Sequence, residues 1–220
     1  MARICFLHTS VTSVAPLMQF YRESAPDLRI TNLVDDGILG LLAEKNVAAA
    51  LDRLRDMLSS AQRGYQARAI LIACSSVPRR MVAALREGSE IPIVKIDEPM
   101  ARRAIEAGSR IGVMATLPST VEPTSSLILE TAEDAGKPVE LVTRLEAAAF
   151  QALNTGDAER HDSLLVAALE ALQDENVDAI VLAQVSMARV LPKLDGRLRV
   201  PVLSSPSTSL EGLRAALAVK

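Results

Sequence analysis

The sequence predicts an α/β protein made of two similar doubly wound halves, each a parallel sheet, related by a pseudo-twofold axis. Three observations lead there. Short apolar runs alternate with longer amphipathic patterns along the chain. Most of those runs are continuous rather than alternating, as strands are when helices cover both faces of a parallel sheet. Finally, two of the runs recur later in the same order. Strand, helix, strand, repeated, is the pattern of a doubly wound fold.

The elements follow in order. RICFLH (3–8) and LRITNLV (28–34) read as the first two strands. Asp35 and Asp36 then make a turn before Gly37. Val47, Leu51, Leu54 and Leu58 step by four, three and four, which places them on one face of a helix. AILIA (69–73) is the third strand, and Ser75 and Ser76 behind it read as helix N-caps. PIVKI (92–96) is the fourth, followed by Asp97 and Glu98 as a helix cap with Pro99 at the first helical position. RIGVMA (110–115) and VELVT (139–143) continue the strands. Leu165, Leu169 and Leu172 form a second apolar stripe behind Asp157, an N-cap. AIVLA (179–183), RVPVLS (199–204) and a last helix at about 206–218, returning onto the first half, complete the chain.

The repeat is the most informative feature. AILIACSSVPR (69–79) aligns with AIVLAQVSMAR (179–189) at an offset of 110, with five of eleven positions identical. RICFLHT (3–9) aligns with RIGVMAT (110–116) at an offset of 107, sharing Arg, Ile and Thr. One duplication with a three-residue indel explains both pairs. The expected halves are 1–97 with 205–220, and 98–204. In open α/β sheets ligands sit beyond the carboxyl ends of the strands. Two facing halves would put Thr9, Cys74, Thr116 and Gln184 around one cleft.

Composition narrows the function. A net charge of −3 without a basic run argues against nucleic-acid binding, which needs clustered Lys and Arg. Aromatic content of 2% with no Trp also leaves no base-stacking platform. No apolar run reaches the roughly 18–20 residues of a membrane helix. The N-terminus enters a strand without a signal-peptide layout, and two cysteines make no disulfide framework, so a reduced, cytoplasmic protein is expected. The sequence leaves a homo-oligomer open. No His/Cys/Asp/Glu cluster has metal-ligand spacing, and no Gly-rich phosphate loop is present.

Cys74 is the central candidate. It stands one residue beyond an apolar run and before Ser75, Ser76 and Pro78. A free cysteine often simply fills a core, and Cys5 inside the first strand fits that description. At Cys74 the backbone turns, where exposed N–H groups lower a thiol pKa and hold anions. Both readings stand on residue mechanics alone. Ser75, Ser76, Thr9, Ser10, Thr116 and Thr120 each serve as turn or cap residues singly, and as a symmetric set they suit a carboxylate. His8 ends the first strand as a structural residue or a second acid/base, and His161, in polar ERHDS, is expected at the surface.

The strand ending in IACSSVP, the stretch IGVMATLPSTV, PIVKIDEPMARRA and the duplicated halves resemble the aspartate/glutamate/hydantoin racemase superfamily over essentially the whole chain. The resemblance implies a cofactor-independent enzyme with its active site between facing halves. Small hydroxyl residues and backbone N–H groups there hold a substrate carboxylate, and two cysteines, one per half, exchange the proton on carbon α. Cys74 matches the first cysteine. Thr9, Ser10, Thr116 and Thr120 match hydroxyl positions. At the second cysteine this chain has Gln184, whose amide donates and accepts hydrogen bonds but is a very weak base. The implied activity is a racemase or isomerase acting beside a carboxylate. A single-cysteine decarboxylase or lyase is the alternative, and a non-catalytic carboxylate-binding protein is a third reading.

Overall fold

Residues 2–218 are described by a computed structural model. Met1, Val219 and Lys220, placed by the sequence in the first half, lie outside the described residues. The first half contains β1 (Ala2–His8), α1 (Val14–Ser24), β2 (Leu28–Val34), α2 (Gly37–Ala43), α3 (Val47–Ser59), β3 (Ala69–Ile72), α4 (Arg79–Glu87) and β4 (Ile93–Lys95). There follow α5 (Glu98–Ala107), β5 (Arg110–Ala115), α6 (Pro118–Asp134), β6 (Glu140–Leu145), α7 (Ala147–Asn154), α8 (Ala158–Gln173), β7 (Ala179–Leu182), a 3-10 segment (Val185–Lys193), β8 (Val202–Ser204) and α9 (Ser205–Ala218). Two compact units result. One runs to Ile96 and takes in the chain from Ser209 onward, and the other spans Asp97–Thr208.

In the first unit all strands are parallel, in the order β2-β1-β3-β4. Cys5, Leu7, Ile70 and Ile72 point to one face and pack with Leu54 and Met57 of α3 and with Met81 and Leu85 of α4. Toward the other, Phe6 meets Tyr21 of α1 edge-on at 4.8 Å. The Tyr21 hydroxyl is bonded to Ser209 of α9 at 2.9 Å, and Arg214 pairs with Asp27 at 2.8 Å.

The second unit has the parallel order β6-β5-β7-β8. Met114, Ile180 and Leu182 pack under Leu165, Leu169 and Leu172 of α8. Ile111, Val113 and Val181 face Met100 and Ile105 of α5 and Leu127 and Ile128 of α6. Each fully buried aliphatic side chain stabilises the fold by about 1.5–3 kcal/mol. Gly112 lets α8 approach the sheet, since a Cβ there would come within 3.0 Å of Leu172. Asp157 caps α8 by accepting from the Arg160 N–H at 3.0 Å, as its position predicts.

The halves repeat down to register. Ile4 lies opposite Ala69 in the first sheet, and Ile111 opposite Ala179 in the second, so the sequence offsets of 107 and 110 both reappear. The Ala73 N–H donates to the Leu7 carbonyl at 2.9 Å, and the Ala183 N–H donates to that of Met114 at the same distance. The last strand of each sheet is shorter than its apolar run. Both begin after a proline, Pro92 or Pro201, which has no N–H for the ladder but offers its carbonyl to Ile70 or Ile180. Among the described residues, no helix is long and apolar enough to cross a membrane.

Candidate active site

In the first half, β1 and β3 are neighbours, so the residues that leave them emerge at one carboxyl edge. Thr9 and Ser10 follow β1, while Cys74, Ser75 and Ser76 follow β3. Cys74 is a free thiol, half-buried against the core of its half, whereas Ser75 and Ser76 are exposed. The two serines are not the helix caps their sequence suggests. Helix α4 begins after Pro78, which leaves residues 75–78 as a loop pinned by buried Val77. Pro78 fixes φ where a cap would sit and brings no capping side chain.

Thr9 is 1% exposed, and its Oγ1 is buried without a hydrogen-bond partner among the described residues. A buried hydroxyl left this way costs free energy. Ser10 is engaged locally. Its Oγ lies 2.8 Å from Thr12 Oγ1 and accepts from the Thr12 N–H at 3.3 Å.

His8 is fully buried, with Nδ1 at 2.8 Å from Ser13 Oγ and Nε2 at 2.9 Å from Asn32 Oδ1. Burial lowers its pKa, and the Asn32 contact offsets part of that shift. Both ring nitrogens are thus taken by neutral partners, the geometry of a structural histidine.

In the second half Thr116 follows β5 and Gln184 follows β7, in the places that Thr9 and Cys74 hold in the first. Gln184 Oε1 accepts three donors: the Thr116 N–H at 2.7 Å, Thr116 Oγ1 at 2.9 Å and the Leu117 N–H at 3.3 Å. Two of these are backbone N–H groups, so the amide orientation is fixed by the network. Thr120 sits in the first turn of α6, and its hydroxyl donates to the Leu117 carbonyl at 2.9 Å. It closes the helix start.

Two features escape the sequence reading. Lys95, 2% exposed at the end of β4, donates to the Ser75 carbonyl at 3.2 Å and so ties the cysteine loop to the neighbouring strand. Its only signal is a lysine inside PIVKI. The second corrects an expectation: His161 is 1% exposed, not a surface residue. It neighbours Asp162 at 2.8 Å, and Asp162 also accepts from Arg189 Nε at 2.8 Å and Lys193 Nζ at 2.7 Å. Burial pushes the Asp162 carboxyl up, but Lys193, His161 and Arg189 together hold it below its ordinary value. Helical periodicity from Leu165 had a turn to spare upstream, and the polar letters around His161 concealed its inward side.

The model of the Asp/Glu/hydantoin racemase family matches residues 32–211. No curated protein matches the chain by sequence. Among solved structures, an aspartate racemase homologue from Pyrococcus horikoshii superposes with a TM-score of 0.77 at 16% identity, over 99% of this chain and 100% of that one. Glutamate racemase from Francisella tularensis, in complex with D-glutamate, does so at 0.68 and 14% identity, over 98% and 80% of the two chains. Unliganded arylmalonate decarboxylase gives 0.66 at 16% identity, over 100% and 94%. At these identities the likeness is one of fold.

Proposed function

Because the chain belongs to the Asp/Glu/hydantoin racemase family, we propose that it is a cofactor-independent isomerase working at the carbon next to a carboxylate of a small organic or amino acid. Cys74 is the acid/base. As thiolate it takes the proton from carbon α, and the electron pair left behind delocalises into the carboxylate. Thr9, Ser10, Ser75 and Ser76 hold that carboxylate and the enolate that develops, the role of preorganised donors in an oxyanion hole. The thiol then returns a proton, exchanged with solvent, to the face it came from, and inversion requires a second proton donor on the opposite face. His8 is the candidate for that donor, and to act it has to give up its bond to Ser13 or to Asn32. Thr116, Thr120 and Gln184 are the corresponding polar residues of the second half.

The observation that carries this reading is local to the first half. A half-buried free thiol stands at the same sheet edge as a buried hydroxyl that lacks a partner among the described residues. Gln184 at the repeat-related position favours a second reading, a one-cysteine decarboxylase, in which Cys74 supplies a proton after carbon dioxide leaves.

Alkylation and turnover together test the proposal. Enantiopure aspartate, glutamate and 2-phenylpropanoate are assayed for inversion, and phenylmalonate for release of carbon dioxide. Cys74→Ser should lower the rate about 100- to 10,000-fold, the usual worth of a positioned general acid or base. Iodoacetamide should modify Cys74, and the turned-over acid should protect it. Native turnover in Cys74→Ser removes the thiol from the mechanism. Protection without turnover would leave a carboxylate-binding protein instead.

A further inference from the structure

The two halves share a donor arrangement but differ in what meets it. In the second half the Thr116 N–H, the Thr116 hydroxyl and the Leu117 N–H converge on one oxygen, Gln184 Oε1. Three donors on one oxygen is how proteins hold a carboxylate or an oxyanion. Here a neutral amide of the protein itself takes that place. The offset of 107 maps Thr116 onto Thr9 and Leu117 onto Ser10, and the strand register confirms the correspondence through Ile4 and Ile111. At the position of Gln184 the first half has Cys74, whose side chain carries no oxygen. Correspondingly, Thr9 Oγ1 is buried and has no partner among the described residues, whereas its counterpart Thr116 Oγ1 is bonded.

We infer that Gln184 is a built-in occupant of the second half's donor cluster, so that the substrate is anchored through one carboxylate, at Thr9 and Ser10, and not through two. This deepens the proposed function and rests on it for the identity of the ligand. A chain with a short residue at 184 would offer two such clusters, one in each half. Gln184 is thereby a specificity-determining residue: it closes one anion anchor with a group that carries no charge. The substrate class is an acid with a single anchored carboxylate and a remainder recognised by other means.

Acetate titration of the isotope-labelled chain, followed by backbone amide NMR, tests this residue by residue. In the native chain acetate should move the Thr9 and Ser10 amide signals and leave those of Thr116 and Leu117 in place. Thr9→Val should weaken acetate about tenfold or more, the loss expected for a hydrogen bond to a charged group. Gln184→Ala should shift the Thr116 and Leu117 signals on its own, and acetate should then move them further. Three outcomes overturn the inference: acetate moving Thr116 and Leu117 in the native chain, no acetate effect at Thr9 and Ser10, or a folded Gln184→Ala chain whose Thr116 and Leu117 signals ignore acetate. None of these readouts involves sulfur. Native turnover in Cys74→Ser would therefore sink the proposed mechanism while leaving the single anchor standing.

Discussion

Cys5 and Cys74 are the same residue type under different physics. Cys5 lies inside β1, fully buried in the first-half core, and burial raises its thiol pKa despite the nearby Arg3 charge. Cys5→Ser should therefore cost about 1–3 kcal/mol, a hydroxyl placed among aliphatic neighbours without a partner. Urea unfolding measures it, and Cys74→Ser should show little change in the same experiment. Equal destabilisation by both would return Cys74 to the core. His8 gives a pH-dependent counterpart. Its pKa is lowered in the folded chain, so the unfolded chain binds the proton first as pH falls. Its contribution is full above the ordinary value of about 6.5 and is lost as pH drops through the lower folded-state value. The native urea midpoint should thus decline from pH 7.5 to 5.5, and the decline should shrink in His8→Asn. An unchanged decline in that variant would assign it to other groups.

The elements that position the site were legible to different degrees. Continuous apolar runs located β1, β3, β5 and β7, because a strand buried on both faces leaves an unbroken apolar run. The edge strands β2 and β6 instead carry polar residues within theirs. The cap assignment at Ser75 and Ser76 failed because a helix start depends on where the backbone first turns helical, and Pro78 delays that to Arg79. The Gln184 contacts were not legible at all. They depend on β5 and β7 lying side by side, which brings residues 68 positions apart together. The Asp162 cluster is similar. Arg189 and Lys193 tie the 3-10 segment after Gln184 to α8 through one carboxylate. Its folded pKa is depressed, so its stabilisation is present above the ordinary carboxyl pKa and lost as pH falls through the folded-state value. Asp162→Asn should lower stability at pH 7 by about 1–3 kcal/mol, the range for hydrogen bonds to charged groups. It should also reduce the loss of stability below about pH 4. A native-like acid profile in that variant would show that the pairing contributes nothing.

At the scale of the whole molecule, the chain is a duplication whose halves kept their registers and diverged at their carboxyl edges. The repeat in the sequence showed both facts, since Ala, Ile and Arg persist while Cys74 faces Gln184 in the alignment. Divergence at that one position sets the expected stereochemistry. A racemase must return a proton to the face opposite the one it deprotonates, and on the proposed function the repeat-related partner of Cys74 is an amide, too weak a base for that. Gln184→Cys should raise inversion relative to exchange by supplying the second thiol. The most direct measurement is proton NMR in deuterated water on each enantiomer of aspartate and of 2-phenylpropanoate, following α-proton exchange and inversion together. One enantiomer should exchange much faster than it inverts, and Cys74→Ser should abolish that exchange. Inversion keeping pace with exchange in the native chain, or exchange surviving in Cys74→Ser, would contradict a mechanism with Cys74 as its single base.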